Sequence, residues 1–364
     1  MRSKVSREYL SFLIVVTGLV LLPALIWYGL PRLQRRLIGF RDRRISEPVK
    51  RVGVVSDRIG LKKSVFFKYR SSCTSITDIV QGEFDPHPGD ELAFVDCERI
   101  LVTDLAGHRL KEIRFPSTPL QFNKLTRLGE GLHMMVTGEG QQCGDSAMDI
   151  NGDGKPELLR WSYGGTAQLL KNDERTLIWK TPASERVIRA EFLTDPVPQS
   201  TEIIYSTLDK QLVRRNLEGH LIGQSTPDIP ALNHFHLIPW PTPHSELHVM
   251  QFYQDTITIL TRTGSPVITL RAPHLKSQLL NVPLRAGWVK FSQAATYFAV
   301  PSRLYNWPRT VFYLYDASGA LVYQEVLQGR YAGLGILSRG ADQPEAILLG
   351  GEGHVLKYEW RASH

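Results

Sequence analysis

Residues 311–326 read VFYLYDASGALVYQEV, an apolar run, a short polar turn and a second apolar run. Asp316 can begin a type I turn by bonding to its own backbone, and Gly319 can adopt the positive φ angle that completes a hairpin. One such hairpin is uninformative, whereas several at intervals of roughly 45–70 residues indicate a repeat. The other copies have the turn residues Asp104 with Gly107, Asp173 with Thr176 in place of glycine, Asn216 with Gly219, and Thr261 with Gly264.

A second repeated element precedes the hairpins. It is a polar turn, usually containing proline, then a glutamate and an apolar run. The glutamates are Glu91, Glu157, Glu202, Glu246 and Glu345. A degraded copy lies at AATYFAVPS, residues 294–302, and the long first interval indicates an insertion around residues 118–145 or one further unit.

These two elements predict the fold of residues 51–364. The short apolar runs alternate with period two, which is typical of an all-β domain. Units of about 45–50 residues with four strands each favour a six- or seven-bladed β-propeller of four-stranded blades over a β-sandwich or β-solenoid. The last unit lacks a fourth strand, and we expect residues 52–57 or 64–70 to supply it and so remove an exposed edge.

The N-terminal segment, residues 1–50, has a different character. Residues 9–30 contain no charged side chain. At about 1.5 Å per residue they can cross a hydrocarbon layer of roughly 30 Å, with Trp27 and Tyr28 at one interface. We therefore predict a single transmembrane helix followed by a basic linker. A cleaved signal peptide would need a shorter apolar core and a small-residue cleavage site.

The net charge of +7 is concentrated in the same segment. Residues 1–51 hold 11 basic and three acidic side chains, so the remainder is nearly neutral. The composition therefore gives no argument for a nucleic-acid partner, and it predicts contact with the lipid bilayer instead. The predicted lipid-facing side chains are Arg32, Arg35, Arg36, Arg41, Arg43 and Arg44.

The most specific short motif is DINGDGKPEL, residues 149–158. Alternating oxygen side chains, a glycine at the sixth position and an acid at the ninth are features of loops that bind Ca²⁺. An EF-hand would need an acid at the twelfth position, where Arg160 stands. The same residues also suit plain Asx-turns without a metal. The candidate ligands are Asp149, Asn151, Asp153, the carbonyl of Lys155, and Glu157.

This loop resembles the FG-GAP/VCBS repeats of integrin-type β-propellers. The resemblance implies a structural Ca²⁺ ion bound between the first two strands of a blade. A weaker copy, GEFDPHPGDELAFV, places Glu83, Asp85, His87 and Glu91 at the ligand positions. It departs from the pattern because His87 replaces a carboxylate and Pro88 replaces the glycine.

The sequence contains no CxxC pair, P-loop, GxSxG or HExxH motif. We therefore predict a membrane-anchored, non-catalytic propeller that binds a protein or glycan partner. A glycan-processing or quinoprotein-like enzyme using the central channel, and an accessory subunit of a membrane complex, are the alternatives. Smaller features left open are a metal site at His234 and His236, a quinoprotein-like Trp179, and a Cys73–Cys97 disulfide.

Two signals on topology conflict. The resemblance and the Ca²⁺-type loop favour a propeller outside the cytoplasm, whereas the arginines after the apolar span favour the cytoplasmic side. The absence of an Asn-x-Ser/Thr sequon favours a bacterial source. We predict a single-pass protein of the bacterial inner membrane with an extracytoplasmic propeller.

Overall fold

A computed structural model describes most of the compact unit Arg51–His364. The described residues are 52–70, 76–82, 84, 89–96, 99–114, 120–128, 131–138, 143–153, 155–173, 175–194, 201–229, 232, 235–240, 247–253, 256–273, 281–283, 286–292, 295–304, 309–340 and 343–360. The predicted anchor helix, the basic linker and its six arginines lie outside them. Within these ranges, no helix is long and apolar enough to cross a membrane.

The described residues form 28 strands and one short 3-10 helix, Ala183–Glu185. In chain order the strands are β1 Gly53–Asp57, β2 Leu61–Lys68, β3 Asp78–Gly82, β4 Glu91–Asp96, β5 Arg99–Thr103, β6 Arg109–Arg114, β7 Leu120–Leu128, β8 Gly131–Gly138, β9 Cys143–Met148, β10 Glu157–Ser162, β11 Ala167–Leu170, β12 Leu177–Lys180, β13 Val187–Thr194, β14 Thr201–Thr207, β15 Leu212–Arg215, β16 Leu221–Ser225, β17 Phe235–Pro239, β18 Leu247–Tyr253, β19 Thr256–Leu260, β20 Pro266–Arg271, β21 Asn281–Pro283, β22 Gly287–Ser292, β23 Ala295–Leu304, β24 Arg309–Asp316, β25 Leu321–Gln328, β26 Gly333–Leu337, β27 Ala346–Gly350 and β28 His354–Trp360.

Antiparallel pairing groups these strands into sheets of consecutive strands. Four sheets contain β3–β6, β9–β12, β13–β16 and β17–β20, and a fifth has the order β26-β27-β28-β2. A larger sheet has the order β21-β23-β24-β25-β1, with β22 also paired to β23. The described part of the segment predicted as an insertion or a further unit forms a two-stranded sheet, β7–β8. The prediction of an all-β domain with four-stranded repeats is confirmed.

The sheets follow one another around a closed ring. Strand β3 contacts β7, β8 contacts β9, and β9 contacts β13; contacts then continue from β13 to β17, β22 and β26, which returns to β3. Strands β3, β9, β13, β17, β22 and β26 are therefore the innermost strands of their sheets. The fourth strands β6, β12, β16 and β20 lie at the outer edges of their sheets.

Two N-terminal strands close the ring. Strand β2 pairs with β28 and supplies the missing fourth strand of the last sheet. Strand β1 pairs with β25 on the preceding sheet, so both of the segments predicted as donors are used. Between them the Asp57 carboxylate accepts hydrogen bonds from the backbone N–H groups of Ile59 and Gly60, at 3.0 and 2.7 Å. This turn directs one continuous segment across the edges of two neighbouring sheets.

The predicted hairpin turns join the third and fourth strands of their sheets. In the Asp316 turn, Gly319 N donates to Asp316 O at 3.0 Å, and Asp316 Oδ1 accepts from Ser318 N and Ala320 N at 2.9 Å. Gly319 has a φ of +84°. The turns that begin at Asp104, Asn216 and Thr261 have the same backbone pattern, so the turn chemistry deduced from the sequence is confirmed.

The turn glycines also pack against the neighbouring sheet. A Cβ atom at Gly319 would lie 2.6 Å from Ile268 Cδ1 on β20, and one at Gly219 would lie 2.9 Å from Trp179 Cγ on β12. Gly107 approaches Phe66 of β2 in the same way. Each of these turns therefore rests on the outermost strand of the sheet before it.

The turn without a glycine is built differently from the others. Lys171 N donates to Thr176 O at 2.8 Å, so Thr176 has the place that Ala320 has in the Asp316 turn, and its φ is not positive. The Asp173 carboxylate accepts from Arg175 N and Thr176 N at 2.9 and 2.7 Å. The sequence alignment of Thr176 with the turn glycines was therefore wrong.

The apolar core fills the spaces between adjacent sheets. One cluster joins the sheet of β22–β25 to the sheet of β26–β28 and includes the buried side chains of Phe291, Phe312, Leu349 and Tyr358. Within this cluster, the ring centroids of Phe312 and Tyr358 lie 5.0 Å apart. Burying such side chains, at about 1.5–3 kcal/mol each, holds neighbouring sheets together.

Candidate functional site

The Ca²⁺-type loop lies where the sequence predicted, between the first two strands of a sheet, β9 and β10. Asp149 Oδ1 accepts a hydrogen bond from Gly152 N at 2.7 Å, and Asn151 Oδ1 accepts from Asp153 N at 2.9 Å. Asp153 Oδ1 in turn accepts from Lys155 N at 2.8 Å. These successive Asx-type turns curl the loop.

Glu157 fastens the two ends of this loop. It is 5% exposed, and its Oε2 accepts from Ile150 N at 3.1 Å. The Asn151 amide Nδ2 donates to both Glu157 Oε1 and Asp153 Oδ2, at 3.2 Å each. The oxygen set suits a hard cation, but a cation between these carboxylates would have to displace the Asn151 amide. Among the described residues, no three His, Cys, Asp or Glu side chains converge as metal ligands.

The weaker loop contains the same hydrogen bond from a backbone N–H group to its glutamate. Glu91, also 5% exposed, begins β4 as Glu157 begins β10, and its Oε2 accepts from Phe84 N at 2.5 Å. In both loops the donor N–H lies seven residues before the glutamate. The other three predicted ligands of this loop, Glu83, Asp85 and His87, lie outside the described residues.

Two further repeat glutamates make bonds of other kinds. Glu345 precedes β27 and its Oε2 accepts from Lys290 N on the neighbouring sheet at 2.6 Å. Glu202 accepts from Arg214 on the next strand at 3.0 Å, and Glu246 lies outside the described residues. The recurrence in the sequence therefore marked structural acceptors at strand entries. Reading the sequence for metal ligands missed this role.

The smaller features have separate outcomes. Trp179 is 8% exposed and packs against Gly219 of the next sheet, which assigns it to the core between sheets. His236 lies on β17, but His234, Cys73 and Cys97 are outside the described residues. The metal pair and the disulfide therefore stay predictions.

The outermost strands carry exposed aliphatic side chains. We call the outward surface of β12, β16 and β20 the apolar belt. Leu177, Leu221, Ile222 and Val267 on these strands are 51%, 53%, 45% and 40% exposed. Val322 of β25 follows its turn at the same spacing as Ile222 does, yet it is only 9% exposed. The difference arises because Val322 belongs to the apolar cluster between its sheet and the next one.

A second part of the outer edge is strongly basic. We call residues 58–70 and 109–114 the basic rim; they contain β2 and β6, the outermost strands of two adjacent sheets. The rim contains eight basic side chains and one acidic side chain, Glu112. Three arginines, Arg99, Arg109 and Arg114, bond to that carboxylate. Their hydrogen bonds and positive charges lower the pKa of Glu112.

Two buried tyrosines contact one carboxylate near the place where β2 pairs with β28 and closes the ring. Glu325 of β25 accepts hydrogen bonds from the hydroxyl groups of Tyr323 and Tyr358, both at 2.8 Å, and pairs with Lys63 of β2. Desolvation, followed by the charge of Glu325, raises the pKa of both tyrosines well above the ordinary value. This cluster joins β25, β28 and β2 and therefore belongs to ring closure.

Comparison with known proteins establishes the fold. No family model matches this chain, and no curated protein matches its sequence. The β-propeller domain of Cps50 (Swd1) from Myceliophteria thermophila is similar in structure, with a TM-score of 0.54 and 13% identity over 82% of this chain and 100% of that chain. BBS1N, crystallised in complex with ARL6DN, gives a TM-score of 0.52 and 11% identity over 85% and 99% of the two chains. Sqt1 from Saccharomyces cerevisiae gives 0.50 and 12% over 84% and 100%. The ring of sheets is thus a β-propeller, as the repeat predicted.

Proposed function

We propose that this protein is a membrane-anchored, non-catalytic β-propeller that binds a protein partner through the apolar belt. The observation that carries the proposal is the docking of β1 on β25. There a strand from outside the repeat adds to the outer edge of a sheet by antiparallel pairing. The outer strands β12, β16 and β20 present similar edges with exposed aliphatic side chains.

Strand addition suits these edges for physical reasons. An outermost strand offers backbone N–H and C=O groups to an incoming strand, and the exposed aliphatic side chains supply apolar contact. BBS1N, which has a similar fold, was crystallised in complex with ARL6DN. We propose a protein partner for this propeller as well.

Site-specific photocrosslinking tests the belt in the native membrane. A crosslinker at Leu221 or Val267 should give the same discrete protein adduct, because both positions face outward on neighbouring sheets. A crosslinker at Lys171, which is exposed and lies directly after β11 and outside the belt, is the matched control. Equal adducts from all three positions, or none from the belt, would contradict the proposal. Turnover of a glycan or a quinone cofactor by the purified chain would favour the enzyme alternative.

The anchor and its topology are part of the same proposal. Their support is the uncharged stretch of residues 9–30 and the basic linker that follows it. We place the propeller outside the cytoplasm of a bacterial cell, on the strength of the FG-GAP-like loop. Retention in membranes after carbonate washing tests the anchor. Reporter fusions to the C terminus test the side of the membrane, and cytoplasmic reporter activity would refute the placement.

We further propose that the loop of residues 149–157 binds Ca²⁺ and that the ion stiffens the β9–β10 connection. The support is the oxygen-rich loop at the position that the FG-GAP pattern specifies. Calorimetric titration with Ca²⁺ should release or absorb heat that Asp153→Ala abolishes. Asp173→Ala, which removes an exposed turn carboxylate elsewhere, should leave the titration unchanged. A titration without heat for the unaltered chain would refute Ca²⁺ binding. The Asn151 amide would then be the group that lies between the carboxylates of Asp153 and Glu157.

A further inference from the structure

The basic rim concentrates positive charge on one side of the ring. Residues 58–70 contain five basic and no acidic side chains, and residues 109–114 contain three basic and one acidic. The chain beyond residue 51 is nearly neutral as a whole, so acids must exceed bases over the rest of the ring. The two segments are adjacent because Phe66 of β2 lies against Gly107, just before β6.

Neighbouring carboxylates neutralise only part of this charge. Glu112 is 8% exposed and shares three arginines, of which Arg109 and Arg114 remain 60% and 78% exposed. Glu325 is 1% exposed and pairs with Lys63. Glu359 faces Lys62 across the strand pair, but it bonds to Lys357 and Arg339. The exposed cations of the rim therefore exceed its exposed anions.

The rim also carries exposed aliphatic side chains. Val65 on β2 and Leu110 on β6 are 50% and 51% exposed and lie among the lysines and arginines. A surface with long basic side chains around apolar ones suits the headgroup region of a bilayer, because the cations reach the phosphates while the apolar groups enter the boundary. By contrast, β16 has exposed Leu221 and Ile222 but no charged residue.

We propose that the basic rim docks on anionic phospholipid headgroups and fixes how the propeller lies on the membrane. The proposal rests on the membrane anchor put forward above. About 20 residues of sequence separate the predicted span from β1. The same cations could meet nucleic acid, and the experiment below includes that outcome.

Hydrogen exchange with mass spectrometry tests the rim on the full chain in lipid nanodiscs. Outward N–H groups of outermost strands are not paired within their sheets, so their exchange reports what covers them. Peptides from β2 and β6 should exchange several-fold more slowly with phosphatidylglycerol present than with phosphatidylcholine alone. The protection should disappear as salt is raised. Peptides from β16 should be unaffected by the change of lipid.

Matched variants assign the effect to charge. Replacing Lys62, Lys68 and Lys111 by glutamine should abolish the lipid-dependent protection. Replacing the exposed Lys171, Lys180 and Lys210 by glutamine removes the same charge elsewhere and should preserve it. Equal exchange of β2 and β6 in both lipids, or equal protection of β16, would overturn the proposal. Protection by an added oligonucleotide in neutral nanodiscs, with no effect of anionic lipid, would overturn it in favour of nucleic acid.

Failure of the anchor would be distinguishable from failure of the rim. A chain without an anchor would leave membranes on carbonate washing, whatever the lipid. The exchange measurement would then be made on the chain added to preformed anionic and neutral vesicles, with the same expected contrast between β2 and β16. A carbonate-resistant chain with no lipid-dependent protection would refute the rim alone.

Discussion

Glu325 is the acceptor at the centre of ring closure, and replacing it should loosen the closing strands. The carboxylate is 1% exposed, accepts bonds from the Tyr323 and Tyr358 hydroxyl groups at 2.8 Å, and pairs with Lys63 of the N-terminal strand β2. It therefore connects the first strands of the described chain with its last strand. We predict that Glu325→Leu lowers the free energy of unfolding by about 2–5 kcal/mol.

The magnitude follows from what each partner loses. Tyr323 and Tyr358 are 2% and 0% exposed, so neither hydroxyl can turn to water. Each buried donor left without an acceptor costs about 1–3 kcal/mol. Lys63 is 41% exposed, so water can solvate its ammonium group. The loss of its ion pair with Glu325 therefore adds little to the cost in stability. Leucine recovers some apolar contact, which keeps the total near the sum for two hydroxyl groups.

Urea unfolding of the purified chain, followed by far-ultraviolet circular dichroism, measures this change. The control is Lys62→Leu, an exposed change on the same strand as Lys63, with an expected effect below about 0.5 kcal/mol. Tyr358→Phe alone should cost about 1.5–3 kcal/mol, because it removes a hydrogen bond to a charged group. In the Glu325→Leu background it should be nearly neutral, because the hydroxyl then has no acceptor. Additive effects, or a Glu325→Leu cost no larger than that of the control, would refute this account of closure.

Three further predictions concern the turns and the buried tyrosines. Gly319→Ala should cost about 2–4 kcal/mol in urea unfolding, since its methyl group would lie 2.6 Å from Ile268 at a φ of +84°. Gly60→Ala, at a φ of +71° in open space, should cost only about 1 kcal/mol; equal costs would contradict the packing role. Hydrogen bonds from its own turn lower the pKa of Asp173 to about 2, so its contribution to stability is complete above about pH 4 and is lost as the pH falls towards 2. A carboxyl-carbon NMR titration should find that midpoint, and one near 4 would disprove it. Burial raises the pKa of Tyr331 to about 12, so stability should fall as the pH rises from about 10 to 12. Tyr331→Phe should remove one phenolate with a midpoint near 12 from the ultraviolet titration, and an unchanged titration in that range would contradict it.

The fold was predictable because its signals are local. A turn such as Asp316–Gly319 requires a side-chain acceptor and a positive φ within a few residues, and both can be recognised in the sequence. The glutamates at strand entries recur for a similar reason. The closing strands were harder, because residues 52–57 and 64–70 both suit an edge strand. Only the three-dimensional structure shows that one pairs with β25 and the other with β28.

The roles of individual side chains depended on contacts between sheets. Glu157 has the spacing of a metal ligand, yet in the structure it accepts a backbone N–H group and an amide. The sequence pattern aligns Thr176 with the turn glycines, but in the structure Thr176 closes its turn by accepting from Lys171 N and has no positive φ. The spacing of residues within one repeat unit reveals neither role.

The spatial distribution of charge is the clearest example of a property that the order of residues in the chain does not show. Counting along the sequence shows a basic segment up to residue 51 and a neutral remainder. The ring brings residues 58–70 beside residues 109–114, because the N-terminal strand closes the last sheet and so becomes the neighbour of the first. A neutral average over the propeller therefore contains a basic edge that is continuous along the chain with the basic linker. The pairing of β2 with β28 determines where in the ring that edge lies, because it sets residues 58–70 on the last sheet, next to the first.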